Sequence, residues 1–110
     1  MISVGWLRLA RSADVGRTVV TWPLESGDRP QTVLLWRTRS GRVVAIDGRC
    51  PHRGYPMTGA RIVGDAIECP RHEFRFAPNG RCVNMRRAAP ARVLDIRESD
   101  GYVWLADPAA

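Results

Sequence analysis

Lysine is absent from this chain. All 17 basic residues are arginine, against 11 acidic ones, for a formal net charge of +6. A basic chain admits nucleic acid as a partner, but these arginines are spread along the whole sequence among acids and form no block of like charge. The pattern reads as a solvated basic surface, with docking to an acidic protein as the functional alternative and no nucleic acid expected. Cysteine occurs three times, an odd number that argues against a disulfide framework. No apolar run approaches the about 18 residues of a membrane span, so no membrane partner is expected. The N-terminus has neither a basic segment leading into an apolar one nor a twin arginine, so an export signal is not expected and a reducing cytoplasm fits best. No segment keeps a helical period over the about ten residues a helix needs. There is no internal repeat, low-complexity tract or linker, and 110 residues make one domain.

What is present is a series of short apolar runs separated by turn residues. Ser3 to Ala10 and Arg17 to Leu24 read as strands, the second ending or lying at an edge at Pro23. Ser12 to Gly16 reads as a turn or single helical turn, and Glu25 to Pro30 as a turn. Gln31 to Arg37 forms a hairpin with Arg42 to Ile46 across Ser40-Gly41. Ala60 to Val63 and Ala66 to Glu68 flank Gly64-Asp65, a second hairpin signal. Ala77-Pro78-Asn79-Gly80 is a turn, after which Arg81 to Met85 returns as a strand. Arg92 to Ile96 and Tyr102 to Ala106 form a last hairpin across Ser99-Asp100-Gly101. The fold class is all-β: short antiparallel strands in small sandwiched sheets.

Both histidines and two of the cysteines fall between residues 50 and 72, as Cys50-Pro51-His52-Arg53-Gly54 and Cys69-Pro70-Arg71-His72. Each cluster mixes one thiol with one imidazole. Zinc knuckles instead tend to keep two cysteines together and pair them with two histidines or two more cysteines. The hairpin between the clusters brings them side by side. In an extended loop, residues i and i+2 face the same side, so Cys50 and His52 are expected to point the same way. Pro51 and Pro70 stiffen their loops.

At these residues the sequence resembles the Rieske [2Fe–2S] family. The flanking Gly54, Gly59, Gly64-Asp65, Phe74-Arg75-Phe76 and Asn79-Gly80-Arg81 agree, and the resemblance covers most of the chain. It implies one [2Fe–2S] cluster per chain, with Cys50 and Cys69 on one iron and His52 and His72 on the other. It also implies a Rieske-like sandwich with the cluster-binding hairpin loops at one end: a β framework over 1–48 and 81–110 and a cluster-binding subdomain over about 49–80. Thiolates neutralise ferric iron and imidazoles do not, so exchanging two thiolates for imidazoles makes the cluster less negative and easier to reduce. Histidine-ligated centres accordingly span about −150 to +300 mV.

Departures from the family pattern are informative. Quinol-oxidising members carry an extra cysteine in each loop, joined as a disulfide; Tyr55 and Arg71 stand at those positions. The same members offer serine and tyrosine hydroxyls where this chain has Phe74 and Phe76. Without those donors to stabilise the added electron, a low-potential centre is expected. Glu73 replaces the usual glycine after the second histidine. Arg53-Gly54, Gly80-Arg81-Cys82 and Gly101-Tyr102-Val103-Trp104 look like oxygenase Rieske domains, and Ala89-Pro90-Ala91 resembles the loop that covers the cluster. Cys82 is expected to be a buried small hydrophobe, and the four tryptophans to be core. Arg53, Arg71 and Arg75 lie near the ligands, as either a functional positive field or plain solvated charge.

Once both histidines serve a cluster, none remains for a hydrolytic triad or for the two-histidine, one-carboxylate iron of an oxygenase. With the chain ending at Ala110, the expectation is a non-enzyme. The role implied is a one-electron carrier between a flavoprotein reductase and a terminal oxygenase component, or a detached Rieske subunit of a split oxygenase. A zinc-stabilised basic binding module is the alternative from another class. A regulatory or structural role in a larger complex is the third reading.

Overall fold

The computed structural model describes residues 5–26 and 29–106. Nine strands form three three-stranded antiparallel sheets, with one 3-10 turn at Ser12–Asp14 and no α-helix among the described residues. The middle sheet contains β2 (Val20–Ser26), β3 (Arg29–Arg37) and β4 (Val43–Asp47), in that order. On one side lies the sheet of β1 (Trp6–Arg11), β9 (Tyr102–Ala106) and β8 (Ile96–Ser99). On the other lie β5 (Arg61–Val63), β6 (Ala66–Glu68) and β7 (Arg75–Phe76), with the two Cys/His loops.

The unbroken run Val33-Leu34-Leu35-Trp36 explains the layering. Alternate side chains of a strand face opposite ways, and here both faces are buried. Val33 and Leu35 join Leu9, Val103 and Leu105 in one core, while Leu34 and Trp36 join Cys50, Met57, Ile67, Cys69 and Phe76 in the other. In β4, Val43 and Ala45 take the first side, and Val44 and Ile46 the second. Burying each of these larger side chains contributes about 1.5–3 kcal/mol, so the floor under the loops is a packed core.

The hairpins over 31–46, 60–68 and 99–102 form as the turn residues predict. Asp100 and Gly101, at φ 56° and 82°, supply the left-handed pair that a two-residue hairpin turn needs. Pro23 lies inside β2, which is an edge strand, where a missing N–H is tolerated.

Three expectations are corrected. The turn at 25–30 is tighter, because β2 and β3 pair as far as Ser26 and Arg29; positions 27 and 28 lie outside the described residues, as does the start of the first run at Ser3. Arg81 to Met85 is not a strand. Only Cys82 bridges to Phe76, and the Asn84 side chain takes the Arg75 N–H that a strand would have used. The last hairpin starts at Ile96, because Arg92 to Leu94 turn to β4 instead: Asp47 N donates to Arg92 O at 2.9 Å, and Leu94 N to Ala45 O at 3.0 Å.

Candidate metal centre

The two Cys/His loops share one backbone design. In the first, Cys50 N donates to Tyr55 O at 2.8 Å and Gly54 N to Cys50 O at 2.7 Å. In the second, Cys69 N donates to Phe74 O at 2.8 Å and Glu73 N to Cys69 O at 3.0 Å. The fifth residue of each loop is left-handed, Gly54 at φ 72° and Glu73 at φ 58°. On this common frame the histidine sits third in one loop and fourth in the other. Neither loop is extended, so strand alternation is not what relates Cys50 to His52. Each is a tight turn that holds its cysteine at the base and its histidine outside.

Burial sorts the four side chains into two pairs. Cys50 and Cys69 are 1% and 0% exposed, within the core under the loops. Burial pushes the Cys50 thiol up from its ordinary value; the neighbouring Cys69 adds to the rise, and the His52 and Arg53 backbone opposes it. His52 and His72 are exposed and meet edge to face, ring centroids 5.1 Å apart. The buried Phe74 ring lies 4.5 Å from His52. Among the described residues no three His, Cys, Asp or Glu side chains gather around one point that could hold a metal ion. A structural zinc needs about four donors around one ion. An inner sulfur pair and an outer nitrogen pair instead suit two metal atoms, so the donor set fits a [2Fe–2S] group.

Several neighbours escaped the sequence reading. Glu68, buried beside Cys69, accepts from Arg61 Nε at 2.9 Å and Arg75 Nε at 2.8 Å. The Arg75 hydrogen bond, then Arg61, holds its carboxyl below the usual carboxylate range despite the opposing effect of burial. Arg75 is therefore a structural partner of Glu68, whereas Arg53 and Arg71 are exposed. Asn84 spans the end of the second loop: Nδ2 donates to Glu73 O at 2.8 Å, and Oδ1 accepts from Arg75 N at 2.9 Å. Strand register sets Glu68 opposite both arginines, whereas no motif marks Asn84, which only the packing of 82–84 against β7 brings to the loop.

The remaining sequence candidates take plainer places. Cys82 is partly buried against the site core, with Sγ 3.6 Å from Asn84 Oδ1, and is not part of the sulfur pair. Trp36 is fully buried and its Nε1 donates to Asp65 O at 3.0 Å, tying the middle sheet to the 61–68 hairpin. Ala91 belongs to the same core as Cys50 and Cys69, so the Pro90 loop closes against the site. Tyr55 and Arg71 are in contact, the guanidinium carbon 4.3 Å from the ring centroid.

Residues 5–97 match the model of the Rieske [2Fe-2S] domain. Over 85 residues the chain is 37% identical to the oxygenase component of chloroacetanilide N-alkylformylase from Rhizorhabdus wittichii, a match over 70% of this chain and 24% of that protein. The chain thus spans about a quarter of that curated relative's length. A crystal structure of dicamba monooxygenase superposes with a TM-score of 0.79 at 25% identity, covering 94% of this chain and 33% of that one. A ferredoxin of Sphingomonas yanoikuyae B1 shares the fold at a TM-score of 0.77 and 24% identity, covering 93% of this chain and 98% of that one. The chain belongs to the Rieske [2Fe–2S] domain family, and its cofactor is a Rieske-type [2Fe–2S] cluster.

Proposed function

We propose that this chain is a one-electron carrier in which Cys50 and Cys69 hold one iron of the cluster and His52 and His72 the other. The observation that carries this is the pairing of two buried thiols beneath two exposed imidazoles on matched loops. The cluster, when bound, supplies one reversible electron, and the chain's own residues set its surroundings. The buried cysteines provide the negative charge that ferric iron needs. The exposed histidine edges face a partner and keep the transfer distance short. Phe74 and Phe76 exclude hydroxyl donors from beneath the site, which supports a potential in the lower part of the range for such centres. Exposed Arg53 and Arg71 favour an acidic docking surface.

The partners proposed are a flavoprotein reductase as donor and an oxygenase component as acceptor, with no catalytic centre in these residues. Three cysteines with no disulfide between them suit a reducing compartment such as the cytoplasm, and among the described residues no helix is long and apolar enough to cross a membrane. The 49–80 segment, carrying both loops and the β5–β6–β7 sheet, is the proposed cluster-binding subdomain on a framework of 1–48 and 81–110. The likeness to an oxygenase component favours a second reading, a Rieske subunit or domain that serves a catalytic centre elsewhere.

Paramagnetic resonance of the dithionite-reduced protein, with iron and acid-labile sulfide analysis, tests the centre. A histidine-ligated two-iron signal is expected, and alanine at Cys50, His52, Cys69 or His72 in turn abolishes it. A colourless protein with one zinc overturns the proposal. Rapid re-reduction of a separate oxygenase component selects the carrier over the subunit.

A further inference from the structure

The two ligand loops are closed separately. The backbone hydrogen bonds of Cys50, Gly54, Cys69 and Glu73 all stay within their own loop, and among the described residues none crosses to the other. The cluster reading, on which this inference rests, requires one group to span both loops at a fixed separation. Side chains make the connection: the His52 ring meets those of His72 and Phe74, and at the solvent end a cation–ring pair adds to them. Arg71, from the second loop, lies with its guanidinium carbon 4.3 Å from the centroid of the Tyr55 ring, from the first. Arg71 makes no ion pair among the described residues, so the ring face is the partner its charge has. The same ring stands 6.3 Å from that of His72, the residue next to Arg71.

We propose that Tyr55 and Arg71 form a cation–π clasp that holds the two cluster-binding loops in register at their exposed end. They are positioning residues that act through the histidines. The planar guanidinium over an aromatic face suits this role because it needs no buried hydrogen bond, and both partners remain exposed. The clasp restrains the spread of the loops, and with it the ease with which an iron chelator strips the outer metal.

The test is a double-mutant cycle on the purified, cluster-loaded protein, using Tyr55→Leu, Arg71→Met and the pair. Two quantities are read on each sample: the rate at which a ferrous chelator bleaches the visible absorbance, and the midpoint of thermal unfolding. Each single change is expected to speed bleaching by about two- to five-fold, the range of an exposed cation–π contact. The double variant bleaches no faster than the faster single one. Tyr55→Phe, which keeps the ring face, retains the wild-type rate and the wild-type resonance line width, while Tyr55→Leu broadens the lines. Additive effects in the cycle overturn the clasp, as does a Tyr55→Phe variant that behaves like Tyr55→Leu. A wild-type protein purified without colour overturns the cluster reading instead; the unfolding midpoints then still score the clasp, coupled if it exists and additive if it does not.

Discussion

Glu73 holds a backbone conformation that its side chain disfavours. At φ 58° a residue with a Cβ loses about 1 kcal/mol or more, and Gly54 fills the matching place in the first loop without that cost. Glu73→Gly is expected to stabilise the protein by somewhat under about 1 kcal/mol, part of the gain being offset by the greater freedom of unfolded glycine; urea unfolding checks it. Phe76 is the second residue whose chemistry is tunable. It is fully buried in the same core as Cys50 and Cys69. Phe76→Tyr adds a donor there, and a hydrogen bond to cluster sulfur or thiolate raises the midpoint potential, on the order of tens of millivolts. Potentiometric titration of the two proteins decides; an unchanged midpoint means the hydroxyl does not reach the cluster.

Among the elements, the 82–84 segment matters more than its sequence implies. Asn84 satisfies the carbonyl of Glu73 and the N–H of Arg75 at once. It therefore secures the exit of the second loop as a strand pair would, using one side chain. Asn84→Ala removes both bonds at a partly solvated position, where each contributes about 0.5–1.5 kcal/mol. The expected result is a loss of about 1–2 kcal/mol in unfolding and faster amide exchange at Arg75, with the first loop unaffected. Hydrogen exchange resolves the two loops separately. Equal loosening of both contradicts the local role.

For the whole molecule, the arginines act as staples between layers. Arg37 Nε donates to Val15 O at 2.9 Å, and its two terminal nitrogens reach Gly41 O, Ser12 O and both oxygens of Glu98. A lysine ammonium, with three donors at one point, cannot span that set. The Arg37 hydrogen bonds hold the Glu98 carboxyl below its usual range. A depressed folded-state value means stability that is present at neutral pH and is lost as pH falls through the carboxylate range. The melting temperature of Glu98→Gln should therefore lie a few degrees below wild type at pH 7, with the gap closing below about pH 4. Thermal melts across that range check the sign; a gap that widens in acid contradicts it.

The Cys/His spacing, the turn dipeptides and apolar runs such as Val33 to Trp36 determined the family, the all-β class and most hairpins, because each depends on bonds or patterns local in the chain. The same locality left gaps. Gly80 was legible as a turn residue, but a Cβ there would also collide with the Ala91 carbonyl, a contact made only when the Pro90 loop folds back. Asn84 across the loop exit and Arg71 over Tyr55 likewise join residues distant in sequence or on separate loops. The tertiary structure alone decided them, since side-chain partners depend on how sheets and loops pack. The chain by itself specified which atoms are available to bind metal; the fold decided that sulfur lies inside and nitrogen outside, because the loop turns bury one end and expose the other.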